Sequence, residues 1–252
     1  MRVASADPAT VRPRGLRWWR EVLYILVFYG VYTAIRDTQG SAGGGVDAPS
    51  TTAFRHARAV IEAERDLWIF HERWIQHLFH GWSHFFQFWN VYYGSAHFIV
   101  TAAAIIWMFN RQPGRYPYWR NVLAICTGLA LVGFAAYPLM PPRLLPASYG
   151  FVDTLRHYGG SWSFDSGAME KVSNQYAAMP SLHFGWSTFC ACVFLPACKH
   201  WWSKALAVAY PVGTLFAIVV TANHYFLDAV GGAVVLGAAI LLARPLTAWT
   251  QR

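Results

Sequence analysis

Apolar positions in this chain gather into long runs, and the polar positions gather between them. Stretches nearly free of Asp, Glu, Lys and Arg occur at residues 18–35, 82–110, 121–140, 181–197, 205–223 and 224–243, the first interrupted early by Arg20 and Glu21 and the last by Asp228. A helix crosses the ~30 Å hydrocarbon core of a bilayer with ~20 mostly apolar residues, because it satisfies its backbone polar groups internally. The runs therefore predict an all-α, polytopic membrane protein, a six-transmembrane-helix bundle. Trp18, Trp19, Trp82, Trp119, Trp201, Trp202 and Trp249 stand near run ends, where an aromatic belt places them.

Between the first two runs, SAGGGVDAPSTT (41–52) reads as a flexible linker. From there to about residue 80, Ala57, Val60, Ile61, Leu67, Trp68, Trp74, Ile75 and Leu78 recur at three and four, which predicts an amphipathic helix on the outer surface or against the bundle. Glu64 and His71 fall on the same stripe, as local ion-pair partners or as accessories to a site. In the second run, Ser83, Gln87, Asn90, Gly94, His97 and Thr101 repeat at helical spacing. Lipid cannot hydrogen-bond such a stripe, so it must face the protein interior. His97 is read there first as a packing residue and second as an accessory of the site. Ala229, Ala233 and Gly237 form a small-residue ridge on the last run, suited to close helix packing.

Composition agrees with this layout: 56% of the 252 residues are hydrophobic and 13% charged, far from an ordinary soluble domain. The net charge of +8 does not point to nucleic acid, because the basic residues lie beside apolar runs rather than along an arm or stripe. A lipid bilayer with anionic headgroups is the better partner. Alternate connections carry 12 and 8 Lys plus Arg, the larger number on the side of both termini. By the positive-inside rule this predicts a basic cytoplasmic N-terminus (1–17), a membrane domain (18–243) with an outer loop at 37–80, and a cytoplasmic tail (244–252). The protein is expected in the plasma (cytoplasmic) membrane. Cys126, Cys190, Cys192 and Cys198 fall in or beside apolar runs without paired CxxC motifs, and read as packing thiols.

Three places break the hydrophobic logic, and the predicted topology puts all of them at the extracytoplasmic rim. YPLMPPRLLP (137–146) stops the third run with prolines and presents Arg143, a forked donor suited to phosphate. NQYAAMPSLHFGWS (174–187) opens the fourth run. Pro180 suits the first turn of a helix and Ser181 its cap, and free amides at that start offer an anion a seat within reach of His183. TANHYFLDAVGG (221–232) joins the last two runs, and on a helix His224 and Asp228, four apart, share a face. That couple is readable as a buried stabilising pair, as a metal site short of further ligands, or as a catalytic pair. With His183 and Arg143 beside it, phosphoryl transfer is the chemistry these residue types suit.

By PSLH, by HYFLD and by the longer string YAAMPSLHFGW, the chain resembles the type 2 phosphatidic acid phosphatase superfamily, and within it the inositol phosphorylceramide synthase-like branch. The resemblance implies a helical bundle and a phosphoryl-transfer enzyme that works through a phosphohistidine, with no metal and no cofactor. It further implies His224 as nucleophile, Asp228 as its orienting partner and His183 as the acid that protonates the leaving oxygen. Two parts of the family pattern are missing: YPLMPP has no lysine ahead of Arg143, and Ala217 and Ile218 occupy the places of a Ser-Arg pair before the nucleophilic histidine. Asn174, Tyr176, Ser181 and Asn223 are the candidates to supply phosphate donors in their place. The expected substrate is a membrane lipid phosphoester, with water or an alcohol as acceptor. The rival reading is a non-enzymatic transporter or lipid-binding scaffold in which His97, His183 and Asp228 form a proton relay; oligomeric state is not legible.

Overall fold

A computed structural model describes residues 13, 16–27, 30, 51–159 and 176–250. Most of the first predicted run beyond residue 27, the linker up to residue 50, and Asn174 lie outside the described residues. Among these the secondary structure is helical, with a single parallel bridge between Leu139 and Ala177. The elements are residues 18–27 (α1), Thr51–Asp66 (α2), Glu72–Leu78 (α3), Ser83–Arg111 (α4), Tyr116–Ala136 (α5), Thr154–Tyr158 (α6), Leu182–Phe194 (α7), Trp201–Val220 (α8) and Phe226–Thr250 (α9). One-turn 3-10 helices occupy Pro142–Leu144, Ala147–Tyr149 and Leu195–Ala197.

Four helices, α4, α5, α8 and the Phe226–Ala248 part of α9, are long and apolar enough to cross a membrane. The protein is an integral membrane protein. The run 181–197 forms a shorter apolar helix, Leu182–Ala197, whose 16 residues rise ~24 Å, less than the hydrocarbon thickness. Several boundaries differ from the charge-poor runs, for one physical reason: a charged side chain ends a hydrophobic run but does not by itself end a helix. Thus α5 begins at Tyr116, ahead of Arg120, and stops at Ala136 before Pro138, while α9 continues through Arg244 to Thr250. The amphipathic run also divides into α2 and α3, at Trp68, which takes the left-handed φ of 58°.

The polar stripe of α4 turns inward from Asn90 on, with Asn90, Gly94, His97 and Thr101 buried, while Ser83 and Gln87 at the start of the helix are exposed. Asn90 Nδ2 donates to the carbonyls of Thr154 and Gly159, at 2.9 Å each, and Thr154 Oγ1 donates to Asn90 Oδ1 at 2.9 Å. Thr154 also lies 3.2 Å from the Thr221 carbonyl, so one buried network ties α4, α6 and the end of α8. At the other end of the bundle Glu21 is buried against Arg120, 2.8 Å from Nη1, and accepts from the Tyr116 hydroxyl at 3.1 Å. This pairing anchors α1 on the start of α5.

Of the small-residue ridge expected on α9, Ala229 is buried against Ile218 and Val219, but the closest approach falls on another stripe. Ala233 and Gly237 are exposed, and a Cβ on Gly237 would meet nothing within 4 Å. Gly232 instead lies so near Ser181 that a Cβ would overlap its carbonyl oxygen, and a Cβ on Gly231 would come within 3.3 Å of Pro180 Cβ. Pro180 is pressed from the other side by Gly133 of α5. Glycines thus let α5 and α9 clasp the segment that leads into α7.

The amphipathic α2 lies against the bundle. Its apolar face, Ala53, Ala57, Val60 and Ile61, joins Leu139, Met140, Leu145, Ala178 and Tyr225 in one cluster. His56 stacks on Tyr137 with 3.9 Å between ring centres. This cap covers the end of the bundle where the three chemistry-bearing segments meet.

Candidate active site

Ser181 caps α7 as its type and position predict, its hydroxyl accepting from Phe184 N–H at 3.4 Å. Its own N–H donates to the Asp228 carbonyl at 2.9 Å, which joins the start of α7 to the start of α9. The helix begins at Leu182, so Pro180 stands outside it, not in its first turn, and the Met179–Pro180 bond is cis. His183, second in the helix, is held between two rings of α4: Tyr93 stacks on it at 4.2 Å and His97 lies at 4.1 Å. The His224 ring is 5.5 Å from that of His183.

His224 sits before α9 rather than on it. The end of α8 is closed by a Schellman motif, in which Asn223 N–H donates to Ile218 O at 3.0 Å and Ala222 N–H to Val219 O at 2.9 Å. Such a motif needs a left-handed residue, and Ala222 supplies it with a φ of 55°. Asp228 is the third residue of α9, and its Oδ2 reaches back to accept the N–H of Tyr225 at 2.9 Å, the carboxylate half of a capping box. The same oxygen lies 3.2 Å from His224 Nδ1. The couple is therefore made by capping geometry, not by a shared helical face.

His224 Nδ1 also lies 2.9 Å from the carbonyl oxygen of Ala178. A carbonyl only accepts, so Nδ1 carries a hydrogen, and in the neutral ring the lone pair lies on Nε2. Nε2 is buried and has no hydrogen-bond partner. A buried, oriented and unspent imidazole nitrogen beside a second histidine is a nucleophile's arrangement.

Arg143 is not free at an interface: it is mostly buried, and its Nη1 pairs with Asp153 Oδ2 at 3.0 Å. Its N–H donates to the Ala222 carbonyl at 2.8 Å, which fixes its loop to the turn that carries His224. Its Nε is buried without a partner. Asn223 turns away into the helix end, donating to Thr221 Oγ1 at 2.8 Å. Tyr176 packs beside the α2 cluster, and its carbonyl accepts Leu139 N–H at 2.7 Å. The structure brings His183, His224, Asp228 and His97 together, while the hydroxyl of Ser181 and the amide of Asn223 are engaged locally. Glu64 reaches the first turn of α9, where its Oε1 accepts Leu227 N–H at 2.8 Å.

Four participants escape the motif reading: Tyr93, Glu72, Asp153 and the carbonyl of Ala178. Tyr93 was within reach of it, standing four before His97 and so on the same face of α4. Asp153 and Ala178 carry no local signal, because their roles exist only once distant segments meet.

Across residues 58–242 the chain matches the family model of the PAP2 superfamily, from within α2 to within α9. The chain belongs to the PAP2 superfamily. The match spans Glu64, Arg143, His183, His224 and Asp228, so the assembled cluster and the family assignment concern the same part of the chain. PAP2 superfamily members are phosphatases and phosphotransferases, and membership together with membrane-spanning helices points toward lipid phosphates in a bilayer. No curated protein and no solved structure matches the chain.

Proposed function

We propose that this protein is a membrane lipid phosphotransferase or lipid-phosphate phosphatase that works through a phosphohistidine on His224, of the inositolphosphotransferase-like kind. The observation that carries this reading is the buried, unpartnered Nε2 of His224, whose opposite nitrogen is held by Ala178 and Asp228. The six apolar runs of the sequence, read as spans, and the excess of basic residues beside the termini support a site on the extracytoplasmic side of the plasma membrane.

In the first step the Nε2 lone pair attacks phosphorus and the bond to the leaving oxygen breaks, while protonated His183 gives that oxygen its proton. Asp228 stabilises the positive charge that develops on His224. In the second step water or an alcohol attacks the phosphohistidine, its proton returns to His183, and the P–N bond breaks. Arg143 Nε and the amides of Leu182 and His183 are the donors for the equatorial oxygens, in place of the missing lysine and Ser-Arg pair. The negative substrate supplies the counter-charge that a protonated His183 needs among three facing imidazoles.

The test is to incubate purified protein with lipid phosphoesters labelled in the phosphoryl or headgroup phosphate, and to trap acid-labile label on histidine. Label that appears in the parent protein and is lost in His224→Ala supports the mechanism; absence of label and turnover over a broad lipid panel refutes it. Adding inositol or a lipid alcohol separates transfer from hydrolysis.

A further inference from the structure

Three successive amides at the start of α9 are each taken by a different carboxylate. Tyr225 N–H donates to Asp228, Phe226 N–H to Glu72 Oε1 at 3.1 Å, and Leu227 N–H to Glu64 Oε1 at 2.8 Å. A helix start leaves such donors unsatisfied, and its dipole favours negative charge there. Two of the three carboxylates come from α2 and α3, so the amphipathic cap is pinned to the backbone beside His224.

Glu64 and Glu72 are both fully buried, and because they hold the N–H groups of adjacent residues, Leu227 and Phe226, their carboxyl groups are brought side by side. The remaining oxygen of each, Oε2, is buried and has no donor. Two ionised carboxylates in contact, away from water, repel strongly, whereas one proton held between them removes the repulsion and satisfies both oxygens. Burial first, and then Glu72, push the Glu64 carboxyl up to about 10. The other ionisable groups around the pair are Asp228, which acts on both, and Tyr225 and Tyr149 beside them. Tyr225 is itself held above its ordinary range by burial and by these acids, and its hydroxyl donates to Met140 O at 3.1 Å. No group of three His, Cys, Asp or Glu suited to a metal ion occurs among the described residues.

We propose that Glu64 and Glu72 form a proton-sharing carboxyl pair, whose role is to clamp the first turn of α9 and so position the His224–Asp228 couple for attack. Neither residue touches the reacting atoms; both are positioning residues, and their effect on turnover rests on the function proposed above. The pair needs one donor and one acceptor at its facing atoms while each Oε1 stays on its amide. Glutamine at either position meets that need, because its amide group imitates the protonated acid. Glutamine at both does not, since two NH2 groups then face each other.

The experiment compares Glu64→Gln, Glu72→Gln and the double variant in the full-length protein in lipid nanodiscs. Each single variant is expected to keep its thermal midpoint at pH 7 and its turnover within about twofold, and the double variant to lose about tenfold in kcat with little change in KM and to unfold earlier. Infrared spectra of the parent should show the carbonyl stretch of a buried protonated carboxyl, lost in Glu64→Gln. The sign of the pH effect is fixed: the folded state binds the Glu64 proton more tightly than the unfolded state does. Its contribution is full below the ordinary value of 4.5 and is lost as pH rises to about 10, so the parent midpoint falls relative to Glu64→Gln across that range. A double variant as stable as the singles, or a parent spectrum without the carboxyl band, overturns the pair. If the parent turns over no phosphoester, the functional reading fails, while the spectra and midpoints still decide the pair.

Discussion

Asp228→Asn separates two jobs that a histidine's partner can perform, orienting the ring and stabilising its charge. In this protein the Ala178 carbonyl, at 2.9 Å from His224 Nδ1, is nearer than Asp228 Oδ2 at 3.2 Å. Removing the carboxylate charge should therefore leave the ring orientation and tautomer in place. The asparagine oxygen can still accept Tyr225 N–H, so the start of α9 keeps its cap. What is lost is a charge-assisted bond to the cationic imidazole, about 1.5–3 kcal/mol, which at 1.36 kcal/mol per decade is roughly a 10- to 150-fold fall in kcat. His224→Ala should instead abolish both the phosphohistidine and turnover. The assay is release or transfer of phosphate from a lipid phosphoester by protein in nanodiscs, with the midpoint of thermal unfolding measured in parallel. If Asp228→Asn is as inactive as His224→Ala while equally well folded, the Ala178 carbonyl does not hold the ring and the assignment of roles is wrong.

Two glycines of α9 should respond oppositely to alanine: Gly232→Ala drives a Cβ into the Ser181 carbonyl, costing about 1–3 kcal/mol and shifting His183, whereas Gly237→Ala meets nothing and gains up to ~1 kcal/mol of helix propensity. Chemical or thermal unfolding of the two variants checks this, and equal effects would refute the packing assignment. Ala222→Gly should be neutral within about 0.5 kcal/mol, because relief of the left-handed alanine (~1–2 kcal/mol) offsets the lost methyl and the added chain entropy. At Ala217, equally buried but helical, the same change has no relief to draw on and should cost about 2 kcal/mol. Thr154→Val keeps the shape but leaves Asn90 Oδ1 without its donor, and should cost about 1–3 kcal/mol in the same measurement.

Helix type and approximate position were legible because solvent dictates them: apolar runs in α4, α5, α8 and α9, and the inward stripe of Asn90, His97 and Thr101, are one-dimensional records of what lipid excludes. The motif residues His183, His224 and Asp228 were legible for a related reason, since an ionisable group in an apolar run needs a purpose. Distances between segments left no such record. That Arg143 is committed to Asp153, that Asn223 closes a helix end, and that the close approach uses Gly232 rather than Gly237 depend on which elements meet. The division of α2 from α3 at Trp68 carried no glycine or proline to announce it, yet it lets Glu64 and Glu72 reach neighbouring amides of α9. The sequence by itself determined a membrane-embedded helical protein and marked two histidines and an aspartate as ionisable groups inside its apolar runs. Tertiary structure alone decided which atom of His224 is left unspent, because a lone pair is free only when every nearby donor has been given to something else.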